Sequence, residues 1–130
     1  MSTDGVKSKH FGCFWKSMFL TALCYPIDIK KCDNPEKTLR KYKQYYNSFE
    51  YVLPCKFCRE FIKKTLKKKY PLDYSGRLEL FKSLYVWKDI VNKKLYQQGV
   101  SRKKSPPFPF ILKMYENYRA TSCSSGKTCI

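Results

Sequence analysis

The chain has 130 residues, 43% hydrophobic and 17% aromatic, with 27 Lys and Arg against 10 Asp and Glu for a formal net charge of +17. That length predicts one domain with a core of its own, and the apolar content excludes a disordered chain, which pairs high charge with low hydrophobicity. Five Gly and seven Pro exclude a collagenous or low-complexity composition, while the charge favours anionic partners and says nothing direct about fold.

Residues 1–10 form a polar, basic N-terminal segment that reads as neither a signal peptide nor a membrane span. Beyond it, strand signals are scarce and helical period dominates. A first helix is expected over 11–24, ending before Tyr25-Pro26. A loop with Asp28, Cys32 and Asp33 follows, and Asn34-Pro35 reads as an N-cap with proline at the first helical position. The second helix carries Leu39, Tyr42, Tyr45, Tyr46, Phe49 and Val52 on one side. Leu53-Pro54 breaks it.

A third helix starts near Cys55, striped by Cys58, Phe61, Ile62, Thr65 and Leu66, and Tyr70-Pro71 closes it. The fourth is expected over 77–97, striped by Phe81, Leu84, Val91 and Leu95, with Gly99 as its C-terminal stop. Residues 101–109 read as a basic, Pro-rich loop, 110–119 as a short last helix, and 121–130 as a flexible, Cys-containing tail. The fold class is therefore all-α: a four-helix bundle with a short fifth helix, the domain spanning 11–120.

Seven cysteines without a secretory leader suggest metal or redox chemistry before structural disulfides. The sharpest signal is Leu53-Pro54-Cys55-Lys56-Phe57-Cys58-Arg59. Cysteines at i and i+3 of a helix start share a face, and the helix N-terminus with Lys56 and Arg59 favours a thiolate at Cys55. The competing readings are two buried apolar fillers, or half of a zinc site. Zinc needs about four ligands, and the only other close pair, Cys123 and Cys129, is at a spacing unlike a finger or ribbon. No metal is expected. Cys24 and Cys32 flank one loop and could pair, and Cys13 reads as a small buried hydrophobe.

Taken together, Phe14-Trp15-Lys16-Ser17-Met18-Phe19 with Tyr25-Pro26, the Cys55/Cys58 segment, and Val91-Asn92-Lys93-Lys94-Leu95 resemble the Erv/Alr family of FAD-linked sulfhydryl oxidases. The stretch from Lys104-Ser105-Pro106-Pro107-Phe108 through Tyr115-Glu116-Asn117-Tyr118-Arg119-Ala120 is similar to the members carried by large cytoplasmic DNA viruses. The resemblance implies a helical bundle holding FAD, with catalytic Cys55 exchanging with substrate and catalytic Cys58 next to the flavin. It further implies Trp15, Phe19, Cys58, Lys88, Val91, Asn92 and Lys94 as cofactor contacts, and Cys123 and Cys129 as either a shuttle disulfide or a structural pair. Electrons would pass from protein dithiols, viral redox proteins among them, through FAD to oxygen, giving hydrogen peroxide. A homodimer and a place in the host cytoplasm, at the virus factory, or in the virion, rather than secretion, also follow from it.

The sequence departs from the family pattern at three places. Phe19 stands where the first motif usually ends in His, Lys88-Asp89 where the fourth helix usually has His-Asn, and Ser83 where a Trp is common. Lys88 falls on the apolar stripe between Leu84 and Val91. It either snorkels to water or faces the FAD site in place of the usual histidine. Two other functions compete: a basic helical protein binding nucleic acid or an acidic partner, and a family member without FAD. No nucleic-acid-binding motif is apparent, so nucleic acid is not expected as a specific partner.

Overall fold

Proline and glycine punctuate the chain into five helices, with no strand among the described residues; the computed structural model describes residues 11–99 and 104–119. The expected all-α class is observed. The tail cysteines Cys123 and Cys129, and the segments 1–10 and 121–130, lie outside the described residues. No helix of the described residues is long and apolar enough to cross a membrane.

Helix α1 (Gly12–Ala22) stops two residues before the expected end. Its last turn tightens through i→i+3 bonds from Cys24 N–H to Thr21 and from Tyr25 N–H to Ala22, both 3.1 Å. That turn swings Tyr25 into the core, where its hydroxyl donates to the Tyr74 carbonyl at 2.6 Å. Cys13, expected inside, is exposed. It sits on the outward side of the first turn, while the inward positions of α1 go to Phe14, Trp15 and Met18.

Asp28 caps a 3₁₀ turn (Ile29–Lys31) by accepting the Lys30 N–H at 2.9 Å. The Ile29 N–H reaches the Ser75 carbonyl at 3.1 Å. This pairing presses Gly76 against the Ile27 carbonyl, leaving no room for a Cβ. Cys24 is exposed and Cys32 donates its thiol to the Ile29 carbonyl at 3.3 Å; both are thiols.

Helix α2 (Pro35–Val52) begins as expected, the Asn34 side chain accepting the Lys37 N–H at 3.3 Å. Tyr46 and Phe49 are buried, and the Tyr46 hydroxyl donates to the Met18 carbonyl at 2.8 Å, fastening α2 to α1. Val52 departs from the expected stripe and is exposed. The chain turns at Leu53-Pro54, so Leu53 takes the inward place.

Helix α3 runs as Lys56–Phe61, a π-helical stretch Ile62–Leu66, and Lys67–Lys69. In the π stretch the Lys67 N–H bonds to the Ile62 carbonyl, five residues back, and both Ile62 and Leu66 point into the core. Helix α4 (Arg77–Gln97) matches its expected span, and Gly99 ends it in the left-handed region at φ +74°. Its inward stripe is Leu80, Phe81, Leu84 and Trp87. Val91 and Leu95, expected in that stripe, are only half-buried.

Helix α5 (Phe108–Glu116) starts two residues earlier than expected and ends three earlier. Pro109 fits the first turn, where a missing N–H costs no hydrogen bond. Its Tyr115 packs on Phe19 and Phe81, at 5.1 and 5.6 Å between ring centroids.

Candidate functional site

The break at Leu53-Pro54 positions the dithiol. Cys55 adopts an extended conformation as N-cap of α3, and its sulfur accepts the Cys58 N–H at 3.3 Å. Its own N–H bonds back to the Leu53 carbonyl at 2.8 Å. The Arg59 guanidinium also donates to that carbonyl, at 2.5 Å. Arg59 thus clamps the turn that presents the cysteines. Both are half-buried thiols on one side of the first helical turn. Burial pushes the Cys58 thiol well above the ordinary range, and the adjacent Cys55 sulfur adds to the rise.

The two sulfurs open into a cavity of about 440 Å³, within the range of small-molecule sites, about 300–1,000 Å³. Helix α1 contributes Phe14, Trp15 and Met18; α3 contributes Phe57, Phe61 and Ile62; α4 contributes Val91, Lys94 and Leu95, with Gln98 just past its end. The walls are aromatic and aliphatic, and the one charged side chain among the lining residues is Lys94. Its ammonium lies 4.3 Å from the centroid of the Phe61 ring, a cation–π contact that holds the charge at the cavity's edge.

Of the residues singled out in the sequence, Trp15, Cys55, Cys58, Val91 and Lys94 therefore share one cavity. Phe19, Lys88 and Asn92 do not line it. Phe19 is fully buried and, with Lys88 and Asn92, lines a smaller space of about 80 Å³ between α4 and α5. Asn92 donates to the Ser105 hydroxyl at 3.0 Å. Residues two apart on a helix point about 200° apart, so Asn92 and Lys94 face different sides of α4.

A second cavity of about 400 Å³ shares Asp89, Asn92 and Ser105 with this smaller space and is also lined by Lys93, Tyr96 and Lys104. Asp89 there pairs with Lys93 at 3.1 Å, one helical turn on. Lys88 takes neither of its two expected courses in full. It is half-buried, with its ammonium 5.5 Å from the Trp15 ring centroid, and burial lowers its pKa.

Phe14, Phe57, Phe61 and Leu95 were not singled out for the site. The available signal was the i, i+3, i+4 stripe of Cys58, Phe61 and Ile62, which reads as packing until α4 is placed opposite. Among the described residues no three His, Cys, Asp or Glu converge as a metal site. No protein-family model and no curated protein sequence matches the chain.

Proposed function

We propose that the protein is an FAD-linked thiol oxidase of Erv/Alr type, which forms disulfides in protein substrates. The observation that supports it best is the convergence of three separated sequence segments, carrying Trp15, Cys55/Cys58 and Val91/Lys94, on one apolar cavity. A dithiol at the wall of an apolar, aromatic-lined space suits exchange with substrate on one side and a redox group on the other.

The donor set fits a flavin. Phe14, Trp15, Phe57 and Phe61 offer aromatic walls for a flat ring, and Lys94 offers a cation for a phosphate. When bound, FAD supplies a two-electron acceptor that oxygen can reoxidise, giving hydrogen peroxide. Cys55, at the N-cap, takes the substrate sulfur. Cys58 stands one turn further along and forms or releases the internal disulfide. Met18, Ile62, Leu66 and Leu95 make the wall beside it apolar.

Protein dithiols as electron donors, oxygen as acceptor, a homodimer and a relay through Cys123 and Cys129 belong to the same proposal, as does action in the cytoplasm of a virus-infected cell. The test is purification followed by a visible spectrum and oxygen uptake with dithiothreitol. Bound flavin, and uptake that Cys58→Ser abolishes while helicity is kept, are the expected results. A protein that stays colourless after incubation with FAD, or undiminished uptake in Cys58→Ser, overturns the assignment.

A further inference from the structure

Between Lys56 and Lys69, α3 carries seven basic residues against one acidic, Glu60. Arg59 is engaged with the Leu53 carbonyl and Lys67 with Glu50 at 3.2 Å. Lys56, Lys63 and Lys64 are exposed, and among the described residues no carboxylate pairs with them. Large apolar side chains are exposed on α3 and α2. Phe57, between the two cysteines, is 76% exposed, and Tyr51 and Val52 at the end of α2 are 69% and 61% exposed. The Lys63 ammonium sits 5.8 Å from the Tyr51 ring centroid, which joins the basic side of α3 to the end of α2. Phe57 and Cys55 both line the dithiol cavity, so this face reaches the reactive sulfur. Large exposed apolar side chains rimmed by charge mark interaction sites.

We propose that this face receives the substrate and selects protein cysteines that lie in acidic segments. An apolar neighbour of the substrate cysteine packs on Phe57 and Tyr51, while its Asp and Glu side chains meet Lys56, Lys63 and Lys64. The inference rests on the thiol-oxidase proposal and adds to it the class of substrate. A second copy of this chain is a poor occupant, because it brings the same positive helix against its like. A nucleic-acid backbone satisfies the lysines but brings no thiol to Cys55.

The chemistry balances on the cysteines alone. A substrate thiolate attacks the Cys55 sulfur of the oxidised pair, the Cys55–Cys58 bond breaks, and Cys58 leaves as a thiolate that takes a proton. The second substrate thiolate then attacks the substrate sulfur of the mixed disulfide. Cys55 is released and protonated. The substrate dithiol loses two electrons and two protons, and the Cys55–Cys58 disulfide gains them.

The experiment uses the full chain with its Cys55–Cys58 disulfide formed, and three peptides with one common Cys-x-x-Cys dithiol flanked by Glu, Ser or Lys. Exchange is quenched by alkylation and read by mass spectrometry as loss of that disulfide. The Glu-flanked peptide should react faster than the Lys-flanked one by roughly tenfold or more at low ionic strength, and the gap should collapse as salt is raised. The double variant Lys63→Glu, Lys64→Glu should reverse the order while leaving exchange with dithiothreitol unchanged. Equal rates for the three peptides overturn the proposal. So does a double variant that keeps the peptide preference but loses affinity for a DNA duplex, since the face then serves nucleic acid. Oxygen uptake with dithiothreitol, measured alongside, tests the oxidase proposal separately, because the exchange itself needs neither flavin nor oxygen.

Discussion

The ammonium of Lys88 lies 5.5 Å from the centroid of the Trp15 indole, linking α4 to α1 where two cavities approach each other. Trp15 lines the apolar space beside the dithiol, and Lys88 lines the smaller one towards α5. Asp89, the next residue, is engaged with Lys93 instead. The cation–π contact with Trp15 is worth about 0.5–2 kcal/mol depending on desolvation and opposes the burial that lowers the Lys88 pKa.

That arrangement gives a stability prediction with a definite sign. Burial depresses the folded-state pKa of Lys88 below its ordinary value of 10.5, so the unfolded chain holds the proton more firmly. The resulting destabilisation is fully present below the folded pKa and fades as pH rises from there to 10.5. Lys88→Met should match or exceed the parent in urea unfolding at neutral pH, and its relative advantage should shrink in alkaline buffer. A variant less stable than the parent at neutral pH would mean that the indole contact outweighs burial.

Cys58 should behave as a thiol that resists ionisation. Its pKa is raised above the ordinary 9.0, chiefly by burial. Alkylation needs the thiolate. Its rate at Cys58 in the reduced protein should therefore keep climbing with pH beyond 9 rather than level off there. Peptide mapping after timed iodoacetamide pulses checks this, with exposed Cys24 in the same chain as the internal comparison. A plateau at the ordinary thiol pH would show that the pair opens to water in solution.

The helix boundaries were largely legible because local chemistry sets them: Asn34-Pro35 starts α2, Leu53-Pro54 ends it, and Gly99 stops α4. Trp15, Cys55, Cys58, Val91 and Lys94 come to one cavity, and on α4 this needs only that Val91 and Lys94, three residues apart, share a helical face. Rotation of a helix about its own axis was not legible. On α4 the deepest residues are Leu80, Phe81, Leu84 and Trp87, so the core stripe lies towards Trp87 and leaves Val91 and Leu95 at its edge. Packing against α1 and α5 fixes that phase. The same phase brings Lys88 onto Trp15 and turns Asn92 towards Ser105. Phe19 reads as a site residue from its motif position, yet Phe81 and Tyr115 enclose it.

Trp87 itself should be a principal stability determinant. It is 2% exposed, and its indole N–H donates to the Tyr70 carbonyl at 2.6 Å, tying the end of α3 to α4. Trp87→Ala should cost about 3–5 kcal/mol through cavity creation. Trp87→Phe keeps most of the volume and should cost about 1–2 kcal/mol, mainly for the lost hydrogen bond. Chemical denaturation of both variants separates volume from bonding. Equal losses would assign the effect to the indole N–H.

The most discriminating pair of variants is Lys94→Met and Asn92→Ala. The family resemblance implies both residues as cofactor contacts, but the folded chain gives them different neighbours. Lys94 lines the dithiol cavity with its charge on Phe61, while Asn92 bonds Ser105 on the far side of the helix. If the cavity holds FAD, Lys94→Met removes a charge-assisted contact of about 1.5–3 kcal/mol, or roughly tenfold to a hundredfold in flavin affinity. Because Lys94 is exposed, its replacement should leave the unfolding midpoint close to the parent's. Asn92→Ala should do the reverse. It breaks the link between α4 and the segment leading into α5, costing about 0.5–1.5 kcal/mol of stability, and leaves flavin retention at the parent's level. Flavin released on dialysis, measured by fluorescence beside urea unfolding, reads both effects on the same samples. Loss of flavin in Asn92→Ala with full retention in Lys94→Met would move the cofactor's anionic end to the polar side of α4, where Lys93 and Lys104 flank Asn92.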